Sequence, residues 1–196
     1  MNDIVNLMKQ RRTIRKYKSR QISERELDAI LEAGLHAPSA GGRQSPIILA
    51  CQNAEINAEL GKLNKIQMEL QMGQRKVSPG TVSAEQPSIL DDENIKSAFY
   101  SAPTVLTLFA PKNNFNFTGD CFVAAQNMII AACSLGIGSC MVARSAETFS
   151  TERGMEIQKK WGVSDELEAK VHVTLGYIDG VEPMYKSRKE NRVVRV

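Results

Sequence analysis

Apolar residues recur at helical spacing in some stretches of this chain and crowd or alternate in others. Ile4, Val5, Leu7 and Met8 predict a short helix ending near Arg11. Ser23 and Glu26 form a capping box, with Ile22 and Leu27 as its hydrophobic staple. Leu27, Ile30, Leu31 and Leu35 then give a helical stripe that runs into Gly34 and stops before Pro38. Ile47–Cys51 reads as a short strand, and Ile56, Leu60, Leu63 and Ile66 as the apolar side of another helix. A short helix is expected over 95–100 and a strand over 105–110. The strongest helix spans 120–135, where Phe122, Ala125, Met128, Ile129, Ala132 and Cys133 share a face and Gly136 ends the run. Its circumference is mostly apolar, which predicts burial, in a subunit interface among other places. A strand at 139–142, a helix over 149–161 and a half-buried strand over 170–178, with Val171, Val173, Leu175 and Tyr177 alternating, complete the pattern. Helices with a few interspersed strands, without strict β-α-β alternation, indicate an α+β fold.

Between these elements lie three segments of another character. RRTIRKYKSRQ, from Arg11, is polar, basic and expected to be extended, which points Arg11, Thr13 and Arg15 to one side. HAPSAGGRQSP, at 36–46, is dense in small residues and lets a flat ligand come close to the backbone. Residues 71–94 are polar and contain Pro79-Gly80, Pro87 and Asp91-Asp92; they read as a loop or lid excursion from a single domain spanning 1–196.

Composition changes this picture little: 42% hydrophobic and 24% charged residues are ordinary for a globular chain. No run of eighteen apolar residues and no secretory signal is present, so a cytoplasmic protein without a membrane role is expected. Cys51, Cys121, Cys133 and Cys140 form no C-x-x-C pair and read as small buried hydrophobes. With only His36 and His172 available, no metal-ligand spacing exists, and both histidines read as structural.

Charge changes it more. Residues 9–22 carry seven basic side chains and no acid, and residues 186–196 carry five basic side chains and one acid. These ends hold +7 and +4, leaving −8 for the rest of a chain whose total is +3. Cations gathered at both ends of an acidic body make a localised anion site if the ends meet in space. Gly136-Ile137-Gly138 follows a helix and lacks a third glycine, so it is no dinucleotide fingerprint; a P-loop and a nucleophile elbow are also absent. Few aromatics and the acidic body speak against nucleic acid, although a basic-ended nucleic-acid-binding module is the reading from a different class.

Together, RRTIRKY at 11–17, HAPSAGGRQSP at 36–46, SLGIGSC closing the long helix, VTLGY at 173–177 and SRKENRV at 187–193 resemble the nitroreductase family of FMN-dependent oxidoreductases. The resemblance spans nearly the whole chain. It implies a central, mainly antiparallel sheet flanked by helices, in an intertwined homodimer whose C-terminal segments exchange strands. It implies FMN at the dimer interface, NADH or NADPH as hydride donor and a small acceptor such as a nitroaromatic or quinone, in ping-pong fashion. It places Arg11, Arg12, Thr13 and Arg15 on the flavin's phosphate, ribityl chain and pyrimidine edge, and Arg188 and Lys189 on the phosphate. It places the loop of Ala37, Pro38, Ser39 and Ala40 on the partner's flavin, with Gln44 as a further contact. The backbone of Met141, Val142, Ala143 and Arg144 would face the hydride-accepting nitrogen, and Asn64 is a weaker candidate for the flavin edge. Gly42 stands where many members have Asn, which removes one family contact. Specialised chemistry of the same superfamily, reductive dehalogenation or flavin fragmentation, is the alternative within this reading.

Overall fold

The computed structural model describes residues 3–72, 84–112 and 115–196. β1 (Ile47–Cys51), β2 (Thr104–Pro111), β3 (Ile137–Val142) and β4 (Leu167–Tyr177) form an antiparallel sheet in the order β1-β2-β4-β3. Period-two alternation along β2 sorts its side chains to two faces. Leu106, Leu108 and Ala110 join Val171, Val173 and Leu175 of β4 against α2 (Glu24–Leu35) and α4 (Phe115–Ser134). Val105 and Phe109 point the other way, into a second core with Leu60 of α3 (Ala54–Met72), Phe149 of α5 (Ser145–Phe149) and Ile157 of α6 (Glu152–Lys160). Helices thus cover both faces, and the α+β expectation holds.

β4 departs from its reading as a half-buried strand. It begins at Leu167, and its polar positions His172 and Thr174 are as buried as its valines. The second face, which sequence alternation assigns to water, is roofed by α3 and α5. The helix expected over 95–100 is instead a series of turns, in which Ala98 N donates to Gly61 O (2.9 Å) and Tyr100 and Ser101 take positive φ. The helix expected over 149–161 is two. Thr151 starts α6 by accepting a hydrogen bond from Gly154 N at 3.0 Å, so the chain turns at Ser150. Only glycine fits at 154, where a Cβ would lie 2.3 Å from Thr148 O.

α1 (Asp3–Gln10) leads into an extended arm that runs beside the sheet. Ile14 N donates to Ser139 O and Lys18 N to Tyr177 O, both at 2.9 Å. Ile14 is buried on Gly138, whose missing side chain allows this approach: a Cβ there would meet Ile14 at 2.9 Å. α4 starts earlier than expected, at Phe115, and the face it buries carries Cys121, Ala124, Ala125, Met128, Ile129 and Ala132. Phe122 lies outside that face, exposed together with Val123. No described helix is long and apolar enough to cross a membrane.

Candidate functional site

The two basic ends meet. Past β4 the chain turns back along the arm, and Asp179 N donates to Lys16 O at 3.0 Å. Arg12 Nε donates to Pro183 O at 3.2 Å. The guanidiniums of Arg12 and Arg188 lie over the Tyr185 ring, 5.3 and 5.6 Å from its centroid. Arg11, Arg12, Thr13, Arg15, Tyr185 and Arg188 line one open cavity of about 200 Å³. The extended arm does put Arg11, Thr13 and Arg15 on one side, with Arg11 Nη1 3.4 Å from Thr13 Oγ1. Arg12 also caps the end of α1, donating from Nη1 to the carbonyls of Lys9, Gln10 and Arg11 at 2.7 to 3.0 Å. Lys189 follows Arg188 on the exposed tail.

The lining of this cavity holds four guanidiniums and no carboxylate, while Glu182 lies on the small neighbouring cavity that Arg11 and Arg12 also line. Among the described residues no ion pair joins Arg11, Arg12, Arg15 or Arg188 to a carboxylate. Burial lowers the Arg11 pKa, and the charges of Arg12 and Arg188 push it the same way. Cations held together in partial burial, on a rigid arm, form a receptor for a dianion such as a phosphate monoester.

Arg15 marks the other end of the arm. Its Nη1 donates to Gln86 O at 3.2 Å, its guanidinium stands 5.9 Å from the Tyr100 centroid, and its Nε is buried without a partner. A buried donor without a partner on a cation calls for an explanation, and a bound ligand group is one. Cys140 lies close by, its thiol pKa raised by burial and drawn down in part by Arg15 and Arg11.

β3 delivers Met141 and Val142 to a turn at Ala143 and Arg144, where Arg144 takes φ +63° ahead of α5. Left-handed backbone at a non-glycine residue costs energy and persists only where its surroundings enforce it. Asn64 supplies that enforcement. From within α3 its Nδ2 donates to Ala143 O (2.9 Å), Arg144 O (3.3 Å) and Thr148 Oγ1 (3.0 Å), while Oδ1 is buried with no partner. The sequence marks Asn64 as a candidate for a ligand edge; here its amide holds the turn.

The 36–46 loop sits elsewhere in the same chain. Ser39 Oγ accepts from Gln44 N at 2.8 Å, and Ala40 N and Ser45 Oγ donate to the Asp120 carboxylate at 2.9 and 2.7 Å. Asp120 lies near the start of α4, whereas Cys133 near its end lines a small cavity with Arg11 and Arg12. Thirteen residues of helix separate the two by about 20 Å. Pro38, Ser39, Ala40 and Gln44 therefore do not join the arginines within one chain. A larger cavity, about 890 Å³ between α5, α6 and the start of β4, contains none of the predicted residues and mixes Lys112 and Lys159 with Asp165 and Glu168. Gln86, Tyr100 and Tyr185 were not marked by the sequence, where none of them belongs to a recognisable motif.

With this geometry in hand, residues 8–177 match the model of the Nitroreductase family. The chain is similar to the Nitroreductase NfnB of Mycolicibacterium smegmatis, at 26% identity over 180 residues covering 78% of this chain and 77% of that one. It also resembles the crystal structure of a Bacteroides fragilis nitroreductase with bound FMN (TM-score 0.83, 26% identity, all of both chains). A Desulfitobacterium hafniense nitroreductase, likewise solved with bound FMN, shares the fold at a TM-score of 0.82 and 24% identity, over 100% of this chain and 99% of that one.

Proposed function

Because this chain belongs to the nitroreductase family, we propose that it binds FMN at the junction of its two basic ends and oxidises NADH or NADPH to reduce a small organic acceptor. One observation carries the reading: the first arginine segment and the last basic segment, at opposite ends of the sequence, close on one cavity whose lining contains no carboxylate. That the relative of known structure from Bacteroides fragilis binds FMN supports it.

The residues present fit the cofactor. Arg11, Arg12, Arg188 and Lys189 provide the charge for a phosphate, and Thr13 a hydroxyl for a ribityl oxygen. Arg15, with its unpartnered Nε, is assigned to the pyrimidine edge, where a cation favours a negatively charged ring. The backbone of Met141, Val142, Ala143 and Arg144, pinned by Asn64, presents fixed dipoles to the ring's reactive edge. When bound, FMN supplies the two-electron relay from nicotinamide to acceptor. The chain's own part is to hold, orient and charge-balance; no side chain is assigned a proton transfer. Donor and acceptor sharing one face of the ring predicts ping-pong kinetics, with a nitroaromatic or quinone as test acceptor.

The 36–46 loop completes the assignment only across two chains. Its distance from the arginines within one chain supports a homodimer in which Pro38, Ser39, Ala40 and Gln44 approach the partner's cofactor. Val5 and Met8 of α1, and Phe122 and Val123 of α4, are exposed apolar side chains suited to that seam.

The test is titration of apoprotein with FMN, followed by anaerobic reduction with NADH and NADPH and an acceptor screen. Arg15→Ala is expected to weaken FMN binding about 10- to 100-fold, as loss of a charged hydrogen bond does, and to lower the midpoint potential. Unchanged affinity and potential would remove Arg15 from the pyrimidine edge; apoprotein that ignores FMN would remove the whole assignment.

A further inference from the structure

Gln86 lies in the turns that precede β2 and is fully buried, and its side-chain amide makes four hydrogen bonds to backbone. Oε1 accepts from Arg15 N and Lys16 N, both at 2.7 Å. Nε2 donates to Asp179 O and Val181 O, both at 3.2 Å. Its own carbonyl accepts from Arg15 Nη1 at 3.2 Å. Among the described residues the arm pairs with the sheet through single bridges at Thr13 and Tyr17. Between those bridges, where no strand runs alongside, one side chain satisfies the amides of Arg15 and Lys16. The same side chain reaches across to the tail that carries Tyr185 and Arg188.

We infer that Gln86 is a positioning residue for the cofactor: it fixes Arg15 at the pyrimidine edge and sets the spacing between the arginine arm and the Arg188 tail. Geometry separates this from a general packing role. An apolar side chain of the same length would fill the same volume, yet would leave two amides and two carbonyls unsatisfied and free the arm from the tail. The inference rests on the FMN reading above, because Arg15 and Arg188 have a shared ligand only there.

Gln86→Met is the informative variant, measured as the FMN dissociation constant of the apoprotein and the midpoint potential of the loaded protein. The expected result is about tenfold weaker FMN binding together with a more negative potential. A tenfold loss of preference for the reduced ring corresponds to about 30 mV for a two-electron couple. A residue that only stabilised the fold would lower Tm and leave the potential where it was. In an Arg15→Ala background, Gln86→Met should shift the potential no further, since Arg15 is the group through which it acts. If Gln86→Met does not fold, wild-type amide exchange decides: the Arg15 and Lys16 amides are expected to be protected and to gain protection with FMN. Unchanged affinity and potential in Gln86→Met, or fast exchange at those two amides, overturns the role of Gln86. Wild-type apoprotein that fails to bind FMN would instead overturn the flavin reading.

Discussion

Single residues in this protein are tuned by what surrounds them more than by their own chemistry. His172 is the sharpest case. It is fully buried in β4, bonded through Nδ1 to Thr107 Oγ1 at 2.9 Å and edged by Phe99 at 4.7 Å, with Nε2 unpartnered. Burial lowers its pKa to about 3. A free histidine titrates near 6.5, so between the two values the unfolded chain binds a proton that the folded chain refuses. The contribution to stability is therefore whole above about pH 6.5 and shrinks as pH falls toward about 3, by roughly 1.4 kcal/mol per unit. Urea unfolding from pH 7.5 to 4.5 should show wild type losing stability more steeply than His172→Gln, whose amide keeps the Thr107 bond without titrating. Parallel curves for the two proteins would mean that His172 is not held neutral.

At the level of elements, local rules are readable and long-range ones are not. The start of α2 was legible because its partners lie three residues apart: Ser23 N and Oγ donate to Glu26 Oε2, and Glu26 N donates to Ser23 Oγ. Ser23→Ala should cost about 1 kcal/mol, which denaturant midpoints at constant slope would register. A smaller loss would be understandable, because Tyr177 Oη also holds the Glu26 carboxylate at 2.8 Å; no loss at all would contradict the cap. Arg11, Thr13 and Arg15 were legible for a similar reason, since alternation in extended chain is a local property. The roof over His172 and Thr174, the clamp of Gln86 and the grip of Asn64 on the 143–144 turn were not. Each joins backbone or side chains 65 to 95 positions apart through groups with no periodic signature. Asn64→Leu tests the last of these. It abolishes three hydrogen bonds of a buried side chain and should destabilise the protein by about 1–3 kcal/mol, with a further loss of FMN affinity as Arg144 leaves its left-handed conformation.

At the scale of the whole molecule, the proposed site would be supplied as two halves that one chain holds apart. The arginines lie where the arm, β3 and the tail meet, and the 36–46 loop is tied to Asp120 near the far end of α4. Two copies related by a twofold axis along the exposed faces of α1 and α4 would join unlike halves twice, the economy of an isologous interface. The tail would give this arrangement a second bond. Val193, Val194 and Val196 are β-branched and exposed, and β1 stands at the edge of the sheet with Ile47 half exposed. An open edge and an unpaired β-forming segment in the same chain are complementary, and pairing them between copies removes two aggregation liabilities at once. Deleting residues 193–196 should therefore raise the dimer dissociation constant by on the order of tenfold or more, since burying even one valine side chain contributes about 1.5 kcal/mol. Sedimentation equilibrium reads that change directly. FMN affinity should fall with it, and recover at high protein concentration, because each cofactor would need both chains. A truncated protein that stays dimeric to the same dilution would show that the tail does not exchange. A monomer that binds FMN as tightly as wild type would show that the 36–46 loop plays no part in the site.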